Sequence, residues 1–362
     1  MNIPFLSLKK QNQAYLTTYT AVFEEFLDRG YYMLHQNVDL FEKAFAEFCE
    51  VPFCIGVANG LDALELIFES LSLPEGAEVI VPANTYFASI LSIINTGLKP
   101  VLVEPNPENF LLDPEKVRAA ISADTRAILA VNLYGKMCDY TALKAIKEEF
   151  NLYLVTDAAQ SHDALYQGSR DCLGADAIAY SFYPTKNLGA LSDAGAVVTA
   201  NEALANKIKS LRNYGSEIRY SFKYLGRNSR LSELQAGFLT QKLKDLPQET
   251  NTRRSIAKRY LSEITHPELL LPPSDSVEQD AWHLFVIRYQ DRAKLQAYLK
   301  GKGIGTDIHY PVPPHQQEAL SDYRHLNLPT TEEMHRTVLS IPLNGSLSED
   351  EVSYIINSLN QF

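Results

Sequence analysis

From Ala179 to Val198 the chain reads A-Y-S-F-Y-P-T-K-N-L-G-A-L-S-D-A-G-A-V-V, which sets one lysine, Lys186, in a loop between two apolar runs. An ammonium beside the end of a buried strand is costly unless paired. Desolvation lowers its pKa, which is what an imine-forming amine requires. A lysine picked at random is more often a solvated loop residue; here Ser181, Pro184, Asn187 and Gly189 flank it and shape the loop. Outward from this stretch, short runs rich in Val, Ile, Leu or Tyr alternate with amphipathic segments. The runs are Phe53–Ala58, Glu78–Val81, Pro100–Glu104, Ala127–Asn132, Leu152–Thr156, Ala177–Phe182 and Ala196–Thr199. Between them, Ala63, Leu64, Ile67, Phe68 and Leu71, then Leu143, Ile146 and Phe150, recur at helical spacing. This alternation predicts an α/β domain built on a largely parallel seven-stranded sheet.

A helix precedes the first strand, where Leu40, Phe41, Ala44, Phe45 and Phe48 recur at three and four residues. Glu202–Arg212 and Leu231–Leu246 read as further helices. Strand alternation is lost at Pro247–Thr252, and a helix, a strand at His283–Tyr289 and another helix follow. The expected division is a large domain over residues 1–247 and a smaller α+β domain over 248–362.

The length of 362 residues suits two such units, and 46% hydrophobic with 21% charged residues suits a sizeable buried core. A formal charge of -11 argues against nucleic acid as the partner, since phosphate backbones are held by clustered Lys and Arg. Cys49, Cys54, Cys138 and Cys172 form neither a C-x-x-C pair nor a regular framework, so buried free thiols are expected. No uncharged apolar stretch reaches the length of a membrane span, and the N-terminus lacks a secretory pattern. A cytoplasmic protein is expected.

Other segments could carry chemistry. V-T-D-A-A-Q-S-H at Val155–His162 places Asp157 at the C-terminal end of a strand, where ligands bind in open α/β sheets. A carboxylate there can pair with a protonated heteroaromatic nitrogen, although D-A-A also reads as a helix cap. G-V-A-N-G-L-D-A-L at Gly56–Leu64 runs from strand through glycine into helix, so the Gly60 and Leu61 amides can hold an anion; a simple turn glycine is the alternative. V-P-A-N-T-Y-F-A-S at Val81–Ser89 offers two aromatics for stacking on a planar ring or for core packing. W-H-L-F-V-I-R at Trp282–Arg288 and I-H-Y-P-V-P-P-H at Ile308–His315 add polar aromatics. No carboxylate or cysteine stands beside His309 and His315 in a ligand pattern, so no metal site is expected.

In this order the segments resemble the DegT/DnrJ/EryC1/StrS-type sugar aminotransferases, fold type I enzymes that use pyridoxal 5'-phosphate. The resemblance runs nearly end to end. It takes in I-P-F-L-S-L at Ile3–Leu8, F-E-K-A-F-A at Phe41–Ala46, V-N-L-Y-G at Val131–Gly135, L-R-N-Y-G-S at Leu211–Ser216 and N-S-R-L-S-E-L-Q-A-G at Asn228–Gly237. It implies that Lys186 carries the cofactor as a Schiff base and moves the proton. It further implies that Asp157 keeps the pyridine nitrogen protonated, that Tyr86 stacks on the ring, and that Gln160 lies near the opposite face. Gly60, Leu61 and Ser181 would bind the phosphate. Asn228 would reach the phosphate in the neighbouring subunit of a homodimer. Leu61 stands where the family often has Thr or Ser, Ser192 and Ala194 replace glycines, and His35 falls where glycine is frequent. A histidine in place of the lysine marks the family's dehydratases; Lys186 favours transamination.

The implied reaction takes an amino group from L-glutamate, releasing 2-oxoglutarate and leaving pyridoxamine 5'-phosphate, and delivers it to a ketone on a nucleotide-linked sugar. Tyr183, His309 and Tyr310 are the expected sugar-side residues. S-F-Y-P-T-K-N-L-G resembles members that aminate carbon 3 of a dTDP-linked 3-keto-6-deoxyhexose. The alternatives are a carbon-4 aminotransferase on a UDP or GDP sugar and a non-catalytic binding or regulatory homologue. The missing glycine fingerprint counts against a nicotinamide oxidoreductase.

Overall fold

The seven apolar runs are β1 (Phe53–Val57), β2 (Glu78–Pro82), β3 (Lys99–Val103), β4 (Thr125–Val131), β5 (Tyr153–Asp157), β6 (Ala177–Ser181) and β7 (Gly195–Thr199). Most of their residues are buried on both faces, the pattern of strands covered by helices on either side. In the computed structural model, which describes residues 1–362, they form one sheet of order β1-β7-β6-β5-β4-β2-β3. The four pairs from β3 to β6 are parallel, and β7 is antiparallel to both of its neighbours. The expected strands are therefore all present, with ends displaced by a residue or two.

The helices are held to this sheet by buried polar ties as well as by apolar packing. Glu233 accepts hydrogen bonds from the His35, Asn37 and Val38 amides at 2.6, 2.9 and 3.1 Å, capping the helix Gln36–Phe48 from outside. A carboxylate at a helix start is favoured by the dipole as well as by the free N–H groups. Arg212 pairs with Glu42 and donates to the Gly56 carbonyl at 2.7 Å, fixing β1 just before the loop that enters the site.

Two expectations change beyond β7. The helix foreseen over Leu231–Leu246 is shorter, Glu233–Leu243, and a second helix, Leu246–Glu263, starts at once. Pro247 sits in its first turn, where a missing N–H costs nothing. Pro247–Thr252 is thus helical, and a division at residue 247 falls in the first turn of a helix. The strand foreseen at His283–Tyr289 is Phe285–Arg288, and it pairs antiparallel with Val338–Ile341, which was not anticipated.

A second apolar core gathers around this pair, with Tyr260, Phe285, Leu295, Ile341 and Ile355. Ile3 joins it too, paired through Gly303 and Gly305, so the N-terminal residues pack with the C-terminal part of the chain. The two cores are stapled near the site. Glu104, just past β3, accepts the Thr330 and Thr331 amides at 2.8 Å each and caps the helix Pro329–Thr337. The turn Leu133–Gly135 after β4 docks on residues 281–284: the Ala281 amide donates to the Gly135 carbonyl at 2.8 Å. Gly135 has φ +102°, and a Cβ there would lie 2.8 Å from the His283 nitrogen, so only glycine permits the approach.

Candidate active site

Because β7 opposes both β1 and β6, those two strands run the same way, and Val57 and Ser181 both pair with Gly195. At the neighbouring ends Val131 of β4 pairs with Asp157 of β5. The loops leaving β1, β2, β4, β5 and β6 therefore converge on one edge of the sheet. They enclose a cavity of about 510 Å³. Gly60, Leu61, Tyr86, Asp157 and Gln160 line it, as do Ser181, Tyr183, Lys186, His309 and Tyr310. Asn228 does not. It is exposed, in a bridge with Asn213.

Asp157 is only 8% exposed and has no lysine, arginine or histidine in an ion pair with it. One oxygen accepts from the Ser89 hydroxyl at 2.7 Å and the other from the Ala159 amide at 3.0 Å. Burial raises its pKa, while those two hydrogen bonds and the charge of Lys186 oppose the rise. A buried carboxylate pinned at both oxygens and lacking a counter-ion is a receptor for a cationic N–H presented from the cavity.

Lys186 shares that cavity. Burial lowers its pKa to about 8, against the pull of Asp157. The loop is held by short-range bonds, Lys186 amide to Tyr183 carbonyl and Ala190 amide to Phe182 carbonyl, each 2.8 Å. A neutral amine is accessible near physiological pH, and that is the nucleophilic form.

The third corner is the start of the helix Gly60–Leu71. Asn59 caps it, its side chain accepting from the Asp62 amide at 2.8 Å and its carbonyl from the Ala63 amide at 3.1 Å. The first N–H groups of a helix have no intrahelical acceptor, and here Gly60 and Leu61 carry them at the cavity wall. A Cβ on Gly60 would lie 2.7 Å from the Ser181 Cβ, and one on Gly195 2.5 Å from the Asn59 carbonyl. The three segments approach closely enough to leave a cradle of two amides and one hydroxyl, suited to a phosphate.

Between these corners stand aromatic and amide groups. Tyr86 is 55% exposed, with its ring centroid 5.2 Å from that of Tyr310. Gln160 accepts from the Tyr134 amide at 2.6 Å and donates to the Tyr310 hydroxyl at 3.0 Å. Tyr134 in turn donates to the His309 carbonyl, so one network joins the loop after β4, the loop after β5 and the 308–310 segment.

Three further residues in or behind the wall carry no assigned role in the sequence reading. Ser89 orients Asp157 and is itself paired with Thr85 at 2.8 Å. Asn59 is a cap-type residue ahead of a helix, a signal the sequence did carry. His283 lies at the wall with its Nδ1 3.0 Å from the Asn187 Oδ1, a pairing across 96 positions that no local motif announces.

Comparison with known proteins places this constellation. The sequence profile described as the DegT/DnrJ/EryC1/StrS aminotransferase family matches residues 16–360. The chain belongs to that family. It is 43% identical over 360 residues to the dTDP-3-amino-3,6-dideoxy-alpha-D-galactopyranose transaminase of Aneurinibacillus thermoaerophilus, covering 99% of each chain. It is 40% identical to the dTDP-3-amino-3,4,6-trideoxy-alpha-D-glucose transaminase of Streptomyces venezuelae, over 99% of this chain and 96% of that one. Among solved structures it superposes on S. venezuelae DesV, described as a complex with a ketimine intermediate. The TM-score is 0.96 at 40% identity, over 99% and 98% of the two chains. It also superposes on Bacillus subtilis NtdA with bound pyridoxamine phosphate, at TM-score 0.93 and 30% identity, over 99% and 85%.

The protein is thus a pyridoxal-phosphate-dependent aminotransferase, and its cavity fits that group. The cofactor brings three chemistries together: an aldehyde for an amine, a ring nitrogen that carries positive charge, and a phosphate. Lys186, the counter-ion-free Asp157 and the Gly60–Leu61–Ser181 cradle offer one partner for each, around one cavity. No helix is long and apolar enough to cross a membrane.

Proposed function

We propose that this aminotransferase moves an amino group from L-glutamate to carbon 3 of a dTDP-linked 3-keto-6-deoxyhexose, giving a dTDP-3-amino-3,6-dideoxyhexose. The observation that carries the reading is the end-to-end similarity to two transaminases named for dTDP-3-amino sugars. In this reading Lys186 holds the cofactor through its amine and then moves a proton between the reacting carbon and its own nitrogen. When bound, the cofactor supplies an electron sink that makes that carbon acidic. Asp157 keeps the ring nitrogen protonated, with Ser89 and the Ala159 amide fixing its oxygens. Tyr86 covers one face of the ring, Gln160 lies towards the other, and Gly60, Leu61 and Ser181 hold the phosphate. Tyr183, His309 and Tyr310 form the sugar side.

The reading includes a homodimer in the cytoplasm. Asn228 is exposed and does not line its own subunit's cavity, so it is free to reach that of a partner. Leu16, Phe23, Leu27, Tyr31 and Tyr32 are exposed on one stretch, and Ile218, Tyr220, Phe222 and Leu225 on another near Asn228. Exposed apolar groups in such number support the dimer in this reading, since surfaces of that kind are commonly covered by another chain.

Two relatives bear regulatory names, the sensory transduction protein EryC1 of Saccharopolyspora erythraea and a pleiotropic regulatory protein of Geobacillus stearothermophilus. They motivate a second reading, a binding protein without turnover. Incubation with glutamate and the dTDP-3-keto, UDP-4-keto and GDP-4-keto sugars in turn separates the readings by NMR. A new amine at carbon 3 with release of 2-oxoglutarate is expected. An amine at carbon 4 overturns the substrate assignment, and no 2-oxoglutarate with any sugar supports the binding protein.

A further inference from the structure

Resting on the aminotransferase reading above, we infer that His283 is a sugar-binding residue whose Nε2 is held by Asn187 as an unprotonated acceptor and receives a hydrogen bond from a sugar hydroxyl. The case begins with the backbone. The Gly135 turn docks on residues 281–284, leaving the His283 ring between the cavity with Lys186 and an adjoining one of about 420 Å³ that shares Thr185, His283 and His309. The imidazole is buried at 8% exposure, so its protonation is set by its neighbours and not by bulk water.

Those neighbours fix the tautomer. The Asn187 Nδ2 donates to the Ala281 carbonyl at 2.9 Å, an acceptor that leaves no freedom to exchange the two ends of the amide. Its Oδ1 therefore faces the His283 Nδ1, 3.0 Å away, and the ring nitrogen must be the donor. A neutral imidazole with its proton on Nδ1 carries a lone pair on Nε2. A second proton is disfavoured by burial and by the charges of Lys186 and Arg253. Nε2 finds no hydrogen-bond partner within the chain, yet it is not among the atoms sealed from solvent.

His162 and His309 differ. Both nitrogens of His162 are sealed and unpartnered, outside the cavity. His309 has Ser340 at 2.9 Å from Nδ1 and the Asp307 carboxylate 3.8 Å from Nε2, so neither of its tautomers is imposed. His283 is the cavity histidine with a tautomer dictated by its surroundings.

A fixed lone pair discriminates between the two substrates. Glutamate's carboxylates have no protons to give and are repelled, whereas a sugar presents hydroxyls that donate. Removing the acceptor should slow the sugar half of the cycle and spare the glutamate half. The two halves can be read separately on the holoenzyme, from the cofactor spectrum after adding L-glutamate alone or dTDP-3-amino-3,6-dideoxygalactose alone. In His283→Leu the sugar reaction should slow by about 10- to 100-fold, and the glutamate reaction should stay within about 3-fold. His283→Gln keeps an acceptor and should recover part of the loss. In ¹⁵N-histidine spectra of the wild-type holoenzyme, the signal lost in His283→Gln should show a protonated Nδ1 and a bare Nε2. Equal slowing of both halves, no slowing in His283→Leu, or a ring protonated on Nε2 overturns the inference. If the leucine variant does not fold, the glutamine variant and the wild-type spectra decide. A wild-type holoenzyme inert to glutamate defeats the aminotransferase reading instead, and leaves the tautomer open to the same spectra.

Discussion

Lys186→Ala is expected to lose the long-wavelength absorbance of the bound cofactor and at least about 10⁴-fold in turnover, since in the proposed function one side chain supplies both the covalent link and the proton relay. Added amines can replace the chemistry only in part, because they lack the placement given by the loop bonds at Tyr183 and Phe182. Stability should change little. Lys186 makes no ion pair or side-chain hydrogen bond in the chain, and burial works against its charge. Reconstitution of the wild-type apoprotein with pyridoxal phosphate should speed up as pH rises through about 8, where burial has placed the ammonium's pKa and the amine becomes free to attack. Stopped-flow absorbance measures that profile, and a flat rate from pH 6 to 10 contradicts it.

Asp157→Asn separates the carboxylate's charge from its shape. The amide oxygen can keep the Ala159 N–H, and its NH₂ can donate to Ser89, whose hydroxyl can turn towards Thr85 at 2.8 Å. The geometry survives, but on the role proposed for Asp157 the ring nitrogen would lose the charge that keeps it protonated. Turnover should fall by about 10²- to 10³-fold, the usual effect of removing a preorganised electrostatic partner. Stability of the apoprotein should hold or rise. A group whose pKa burial raises above its unfolded value works against folding once pH exceeds the unfolded pKa, and the asparagine removes that penalty. Thermal melts with and without cofactor, alongside steady-state rates, make the comparison. No helix follows β5, so Asp157 caps only the turn at Ala159; a variant that unfolds more easily without cofactor and turns over normally would reduce it to that turn-holding role.

The parts of the fold and site that the sequence exposed are those governed by short-range patterns. Seven apolar runs bounded by helical periods could only be strands, and Lys186, Asp157 and Ser181 sit at or just beyond their ends. Where buried faces carry charge, the pattern failed. The helix Leu246–Glu263 buries Arg253 and Arg254, which donate to carbonyls of residues 163, 280, 282 and 343, so its apolar stripe is interrupted and the sequence signals a helix only beyond Thr252, missing its first turns. Val338–Ile341 is four residues long and follows a helix without a break, leaving no turn to mark it. Ser89, in the helix Phe87–Asn95, with Asp157, and Asn187 with His283, are contacts between segments brought together only by the fold, 68 and 96 positions apart. Their residue types are common and become informative only once the sheet order is known.

The central claim is that one amine, at the rim of the sheet beside β6, holds the cofactor. Borohydride reduction of the holoenzyme followed by peptide mapping tests it most directly. A single phosphopyridoxyl group on Lys186 is the predicted result; a label on another lysine, or none, would contradict it.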